Sequence, residues 1–263
     1  EELDGVIIST PWVWHTPMAV ASMKAGVIPG VEVSAANTLE ECRELVNTHE
    51  QTGVPLMILE NVCYRRDVMA VLQMARSGVF GELIHGRCGY QHDLREVKFN
   101  DGKQPYGGGV EFGENGFSEA SWRTRHSLDR NGDLYPTHGV GPMGMMFGIN
   151  RGNRFVSLVS VATKARGLHD YIVNHPEGGE DHPNAALNWK LGDVVTTTIR
   201  TARGESIVVT HDTNLPRPYS LGFRVQGTRG ITEFDAHTKR VFIEGVSPEH
   251  QWEEMDAYQI GRA

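Results

Sequence analysis

Residues 4–60 limit the fold more than any other stretch of the chain. Short apolar runs alternate there with amphipathic runs of helical length: strand 5–10, helix 16–26, strand 28–33, helix 38–51, strand 55–60. The β-branched run Val6-Ile7-Ile8 cannot extend its ladder past Pro11, which lacks a backbone donor. Thr38 followed by Glu41 forms a capping box for the second helix, and Gly53 ends it. The strands are continuously apolar, as in Val54-Pro55-Leu56-Met57-Ile58-Leu59, the pattern of a parallel sheet covered on both faces. Three such strands are half of a doubly wound, Rossmann-type nucleotide-binding domain. The chain opens on Glu1, without a methionine, just ahead of a strand suited to the middle of a sheet. A preceding half is therefore expected: no GxGxxG phosphate loop comes before this strand, and no ribose-binding acid follows an earlier one.

Near residue 62 the pattern changes. A linking helix at 64–77, apolar at Val68, Val71, Leu72 and Ala75, leads into strands at 82–93, 154–164, 192–201, 205–212, 220–227, 231–235 and 240–244. Several alternate with period two, as Val194-Val195-Thr196-Thr197-Thr198-Ile199 does, and Arg203-Gly204 and Thr228-Arg229-Gly230 supply hairpin turns. The expected fold class is α/β: residues 1–62 as a partial dinucleotide-binding domain, then residues 63–263 as a substrate-binding α+β domain with a large, mostly antiparallel open sheet. One face of that sheet is packed and the other is free for a substrate or a subunit partner, which makes a homo-oligomer through it an expectation. Two long loops, 95–131 and 165–190, are rich in Gly, Asn, His and Pro, and loops of that length in a compact domain are usually functional.

Composition narrows the ligand class. With 25 Lys and Arg against 33 Asp and Glu, a net charge of −8 over 263 residues argues against nucleic acid, whose recognition needs clustered cations. A small, neutral or weakly charged substrate is expected. No run approaches the roughly 18–20 apolar residues of a membrane span, and no signal peptide begins the chain, so compartment and export are left open. Cys42, Cys63 and Cys88 are odd in number and lack CxxC spacing, which favours buried thiols over disulfides or a zinc cluster. His92, His126 and His138 also lack the short paired spacing of zinc ligands.

Four polar clusters carry the chemistry. Trp12-Val13-Trp14-His15 follows the first strand, Glu32 the second and Glu60-Asn61 the third. Open α/β sheets bind ligands at these carboxyl ends, although Trp also serves as filler and Asn as a helix cap. The fourth cluster, Asp133-Leu134-Tyr135-Pro136-Thr137-His138-Gly139, precedes an apolar helix predicted over 140–149. Pro136 suits a helix's first turn, so Tyr135, Thr137 and His138 gather at a helix N-terminus, whose positive end biases a His toward the neutral form that acts as a general base. A His satisfied by a backbone carbonyl is the alternative. Tyr90, His92, Arg123 and Tyr219 are further candidates that spacing alone does not single out.

The succession STPWVWH, GVEVSAA, ILENVCYRRDV, GYQHDLR, WRTRHS, NGDLYPTHGVGP, INRGNRF, RPYSLGFRVQG and FIEGVSPEH resembles the family 109 glycoside hydrolases through nearly the whole chain. These are NAD-dependent α-N-acetylgalactosaminidases on the fold of the glucose-fructose oxidoreductase and inositol dehydrogenase superfamily. The resemblance implies NAD as cofactor, with Trp12, Val13, Trp14, His15, Glu32, Val33 and Asn61 lining it and Tyr135 at the junction of nicotinamide and sugar. It implies Tyr90, Arg123, Tyr135, Pro136, Thr137, His138 and Tyr219 as sugar contacts, with His138 and Tyr135 as catalytic groups. Dehydrogenases of the superfamily carry Glu-Lys-Pro where this chain has Glu32-Val33-Ser34, so their Lys acid/base is missing and its work shifts to His138 and Tyr135. The implied route is oxidation at sugar C3, loss of the C2 proton, elimination of the aglycone, addition of water at C1 and return of the hydride, with retention of configuration and the cofactor recycled. The partner is then a small glycoside or a glycan terminus. An NAD(P)-dependent sugar oxidoreductase and a fragment that only binds sugar are the alternative readings.

Overall fold

The computed structural model describes residues 3–104, 107–235 and 237–258. The chain forms two compact units, one up to Asn61 and one from Val62 onward.

In the first unit β1 (Gly5–Ile8), α1 (His15–Lys24), β2 (Ile28–Val31), α2 (Leu39–Thr52) and β3 (Met57–Ile58) make a three-stranded parallel sheet in the order β1-β2-β3, with Ile8 opposite Val31 and Val31 opposite Ile58. The capping box of α2 is complete: the Glu41 N–H donates to Thr38 Oγ1 at 3.1 Å and the Thr38 N–H to Glu41 Oε2 at 3.2 Å. Gly53, at φ 70°, closes the helix in the left-handed region. Ile8 and Val31 pack beneath Ala19, Val20 and Met23 of α1 and Leu45 of α2. Of the cover expected on both faces, α1 and α2 supply one side. Strand order advances in one direction, so two right-handed crossovers place both helices on the same side. On the opposite face Ile7 is 67% exposed, and Ile28 and Met57 are exposed as well.

The second unit runs α3 (Arg66–Arg76), β4 (Leu83–Gln91), α4 (Arg95–Lys98), α5 (Arg123–Asp129), α6 (Thr137–Met146), β5 (Phe155–Ala162), α7 (Gly167–Asn174), β6 (Val194–Thr201), β7 (Ser206–Asp212), β8 (Phe223–Gly227), β9 (Gly230–Phe234), β10 (Lys239–Ile243) and β11 (Glu253–Glu254). Its eight strands are ordered β11-β10-β9-β8-β4-β7-β6-β5. Described neighbours pair antiparallel except β4 and β7, which are parallel. Val68, Val71 and Leu72 of α3 and Met143 and Met146 of α6 join Cys88, Ile199, Ile207, Val209 and Val225 of the sheet in one core. Gly86 permits the contact, since a Cβ there would lie 2.5 Å from Met143 Sδ. The other face of the sheet is open, and the edge strand β5 exposes Val156, Leu158, Val159 and Val161.

Three expectations are corrected. The segments 95–131 and 165–190 are not plain loops: they hold α4, α5 and α7, and Phe99, Leu168, Ile172 and Trp189 close a separate small core among them. Their turn-rich composition hides helices too short for periodicity to register. The helix predicted from residue 140 begins at Thr137, because Pro136 (φ −71°) already has a helical dihedral while the apolar run starts only at Val140. Cys63 and Cys88 are buried, but Cys42 is exposed, lying ahead of the buried stripe formed by Leu45 and Thr48 on α2.

Candidate active site

In the second unit, the residues singled out in the sequence converge at the carboxyl end of β4. The first turn of α6 lies against that end closely enough that a Cβ on Gly139 would stand 3.1 Å from the Gly89 Cα. His138 thereby meets Tyr90 of β4, with ring centroids 5.0 Å apart and planes at 84°. Tyr135, just before the helix, completes a three-ring box, 4.8 Å from His138 and 5.0 Å from Tyr90. The Cys88 thiol donates to the His138 carbonyl at 3.4 Å, tying the helix start to the strand. Arg123, the first residue of α5, sets its guanidinium 5.2 Å from the Tyr135 ring centre and is ion-paired with Glu119 one turn earlier.

A second tier extends the box. Tyr90 Oη lies 3.4 Å from His92 Nδ1, and the His92 ring meets Tyr219 edge-on at 5.2 Å. Tyr219 Oη accepts from Arg65 Nη1 at 3.4 Å, and Arg65 is held by both oxygens of Asp67, which Lys239 also reaches at 3.1 Å. Burial raises the Tyr90 and Tyr219 hydroxyls above the usual phenol range, against the pull of Arg123 and Arg65, so both are hydrogen-bond donors at neutral pH. Burial lowers His92, with Asp93 opposing. Asp133 accepts from the Tyr135 N–H at 2.9 Å, yet burial pushes its carboxyl up to about 6, with His138 among the groups that oppose the rise.

Pro136 is the residue before α6, and Thr137 begins it with a buried hydroxyl that has no hydrogen-bond partner. Beneath the box are groups that sequence reasoning missed. His211 of β7 stands directly opposite Tyr90 in the parallel register, is buried, and has no partner for Nδ1; burial lowers it to about 3. The period-two pattern Ile207, Val209, His211 was the available signal, since it puts this His on the packed face. Buried Lys98 donates to Thr213 Oγ1 at 2.8 Å and to Asn214 Oδ1, and its ammonium is pushed well below the usual lysine range by burial. It lies on four-residue α4, which no pattern announced.

In the first unit, the residues assigned to the cofactor share one edge of the parallel sheet. Trp12 is buried and its carbonyl accepts from Asn37 Nδ2 at 3.0 Å, while Val13 and Trp14 are exposed. His15 is buried, its ring nitrogens 2.8 Å from the Ser34 carbonyl and 2.6 Å from the Thr10 carbonyl, so it ties the start of α1 to the two neighbouring strand ends. The Glu32 N–H extends the β1–β2 ladder to the Ile8 carbonyl at 2.9 Å; Val33 is buried and the Val33–Ser34 peptide is cis. Glu60 is buried beside exposed Asn61, which opens a 3₁₀ turn ending at Tyr64. Among the described residues no group of three His, Cys, Asp or Glu could hold a metal, and no helix is long and apolar enough to cross a membrane.

Comparison with known proteins bears on this arrangement. A family model described as "Glycosyl hydrolase 109, C-terminal domain" matches residues 64–260. An alpha-N-acetylgalactosaminidase of Tannerella forsythia is 60% identical over 260 residues, 97% of this chain and 55% of that protein. A glycosyl hydrolase family 109 protein of Parabacteroides distasonis is 59% identical over 98% of this chain and 56% of its own length. The chain thus spans about half the length of the curated relatives it matches. Among solved structures, a levoglucosan dehydrogenase in complex with NADH and levoglucosan aligns over 95% of this chain and 60% of its own, with TM-score 0.69 and 19% identity. An inositol dehydrogenase homologue from Azotobacter vinelandii complexed with NAD⁺ aligns over 95% and 57%, with TM-score 0.64 and 17% identity. At such identities these likenesses show a shared oxidoreductase fold. With a family model covering most of the chain and relatives of about 60% identity along it, the chain belongs to glycoside hydrolase family 109.

Proposed function

We propose that the chain carries the acetamidosugar site and the proton-transfer groups of an NAD-dependent α-N-acetylgalactosaminidase. The observation that carries this reading is the box of Tyr90, Tyr135 and His138 beside Arg123, standing in a chain of this family. Its aromatic walls suit the faces of a pyranose, and its phenols, imidazole and guanidinium supply donors and acceptors for hydroxyl and acetamido groups. The two carboxylates described at the box are engaged, Glu119 by Arg123 and Asp133 by the Tyr135 N–H, and NAD-dependent glycosidases are exceptions to the two-carboxylate route.

The sheet edge of the first unit fits a nicotinamide nucleotide in its donor set. Trp14 offers an exposed ring, Glu32 an acceptor for hydroxyls and Asn61 an exposed amide, all at carboxyl ends of parallel strands. Trp12, Val13, His15 and Val33 shape that edge. NAD, when bound, supplies reversible hydride uptake from sugar C3, which makes the neighbouring C2 proton removable. His138 is the base for that proton, and Tyr135, packed against its ring, is its partner in protonating the departing glycosidic oxygen. Arg123 and Tyr219 orient the acetamido sugar, Thr137 lies beside it at the start of α6, and Tyr90 and Pro136 exclude water from the reacting face. Half-buried Asp133, an acid near 6 joined to the Tyr135 backbone, keeps the Tyr135–His138 turn in place.

The test combines the chain with NAD⁺ and 4-nitrophenyl α-N-acetylgalactosaminide in heavy water. Nitrophenol release with deuterium entering the product at C2, and no stoichiometric build-up of NADH, is the expected result. Accumulation of one NADH per sugar would instead establish a dehydrogenase, the function of the solved neighbours. Binding of N-acetylgalactosamine, followed by NMR, probes the sugar box separately; no binding by a folded chain refutes its assignment.

A further inference from the structure

The open face of the eight-stranded sheet carries a charged row that the proposed glycosidase does not use. Arg87 on β4 stands directly opposite Arg224 on β8, Arg224 opposite Glu233 on β9, and Glu233 opposite Arg240 on β10. Like charges directly opposite each other in an antiparallel pair are destabilising unless something lies between them. Glu233 cannot be that group for Arg87. Its Oε2 is taken by Arg224 and its Oε1 by Arg240, whose guanidinium also stacks 4.7 Å from the Trp252 ring centre. Arg87 uses only Nε, which donates to the Gly222 carbonyl at 3.0 Å, and it has no carboxylate partner among the described residues.

The row borders a cavity of about 300 Å³ lined by Arg87, Arg224, Arg240, Arg217, Gln91 and Ser220, among others. Arg217 donates to Gln91 Oε1 at 3.0 Å and is neutralised by Asp212. The remaining acid of the lining, Asp235, is turned onto its own loop, accepting from the backbone N–H groups of His237 and Thr238 and from the Thr238 hydroxyl. Four guanidiniums therefore line the cavity against Glu233 and Asp235, with Asp212 paired to Arg217, which leaves Arg87 as the guanidinium in excess. This surplus stands out in a chain of net charge −8. His85, on the same face two residues before Arg87, feels it: burial lowers its pKa first, Arg224 and Arg87 push in the same direction, and only the Ser206 contact opposes them.

We propose that this cavity binds a tetrahedral oxyanion, a phosphate or sulfate carried free or as an ester on a small molecule, bridging Arg87 and Arg224 with Arg217 at its side. The planar forks of arginine match such an anion through paired N–H donors. The site lies on the sheet face opposite the Tyr90 box, since Gln91 and Tyr90 alternate along β4.

Calorimetric titration of the chain with inorganic phosphate, inorganic sulfate and a hexose 6-phosphate, at ionic strength held constant with chloride, tests the proposal. Saturable one-to-one binding is expected, weakened at least tenfold in Arg87→Gln and in Arg224→Gln and unchanged in Lys24→Gln. Tighter binding of the hexose phosphate than of both inorganic anions assigns the ester; the reverse assigns the free ion. If Arg87→Gln does not fold, Arg87→Lys keeps the charge without the fork and should lose affinity at an unchanged melting temperature. Non-saturable heats, or equal affinity in the variants and the parent, overturn the site. So does a result in which the anions have no effect and Arg87→Gln instead dissociates an oligomer in sedimentation, because the row would then face carboxylates of a second copy.

Discussion

Replacing Gly139 by Ala tests whether the packing of α6 on β4 sets the geometry of the Tyr90, Tyr135 and His138 box. In an ordinary helix this change stabilises by about 0.5–1 kcal/mol, because alanine has less backbone freedom to lose on folding. At Gly139 the new Cβ would stand 2.8 Å from Val209 Cγ1 and 3.1 Å from the Gly89 Cα. The nearer contact is roughly 0.6 Å short of ordinary van der Waals separation. Val209 is buried and β-branched, so its methyl cannot swing away, and Gly89 offers only backbone. The helix start must lift instead. Overpacking of this kind costs about 1–3 kcal/mol, which outweighs the propensity gain and lowers the melting temperature by about 2–4 °C per kcal/mol in a unit of this size. His138, one residue away, moves with the helix. Since a 1 Å misplacement costs about a hundredfold in rate, a shift of half that predicts a loss on the order of tenfold. Gly144 in the same helix is the control, because its Cβ would meet nothing nearer than 3.9 Å. Gly144→Ala should gain about 0.5–1 kcal/mol. Calorimetric melting of both variants, with N-acetylgalactosamine titrated by NMR, reads out the pair. A Gly139→Ala protein that melts as high as Gly144→Ala and binds sugar as the parent does would refute the close-packing argument.

Other consequences are checked more briefly. His138→Ala should reduce nitrophenol release by about 10²- to 10⁴-fold, the usual range for a general base, while circular dichroism and sugar binding stay close to the parent. Asp133 has a folded pKa near 6 against 3.8 unfolded, so it favours folding at low pH, and that contribution is lost as pH rises through 6. Asp133→Asn should therefore gain up to about 3 kcal/mol at pH 7 and nothing below pH 4, as read from urea melts across pH. His211 has the opposite sign: its folded pKa of about 3 lies below the ordinary 6.5, so its contribution is present above pH 6.5 and lost as pH falls toward 3. In His211→Gln the acid-side slope of stability between those limits should flatten. Phe80→Ala empties a fully buried site in the large core and should cost about 3–5 kcal/mol by the same melts.

What the sequence made legible depended on where each residue's constraint comes from. Thr38 and Glu41 act within one turn of helix, and the capping box they announce is formed. Tyr135 to His138 sit where a turn meets an apolar helix, so local signals placed them at a helix start even though the start itself fell three residues early. Tyr90, Arg123 and Tyr219 come from a strand, a short helix and an irregular segment, and only tertiary packing gathers them; their signal was resemblance, not spacing. Lys98 and the Arg87–Arg224 pair were invisible for a related reason. A buried lysine looks like any surface lysine until Thr213 and Asn214 arrive from the far end of the chain, and two arginines 137 positions apart become neighbours only when β8 pairs with β4.

The position of the box follows from a single topological fact. Antiparallel neighbours send their carboxyl ends in opposite directions, so residues leaving adjacent strands separate. In β4 and β7, which are parallel, both carboxyl ends emerge together. Tyr90 and His92 leave β4 where His211 to Asn214 leave β7, and Lys98 is drawn beneath them to satisfy the second group. α6 runs back along β4, its start against Gly89 and its Met143 against Gly86, so its positive N-terminal end, with His138, lies over that junction. The rule that ligands bind at carboxyl ends of parallel strands was applied in the sequence to the first sixty residues. Under the proposed function it extends to the second unit, where one parallel pair in an otherwise antiparallel sheet gathers the Tyr90, Tyr135 and His138 box. Changes that loosen this pair should therefore act on the sugar box before they act on the rest of the sheet. Thr210 is the residue to probe, because Gly89 packs against its backbone and not its side chain. Thr210→Pro, which removes the strand's N–H at that point, should abolish sugar binding at temperatures where far-ultraviolet dichroism still reports the antiparallel strands; simultaneous loss of both would show that the parallel pair is not a separable element.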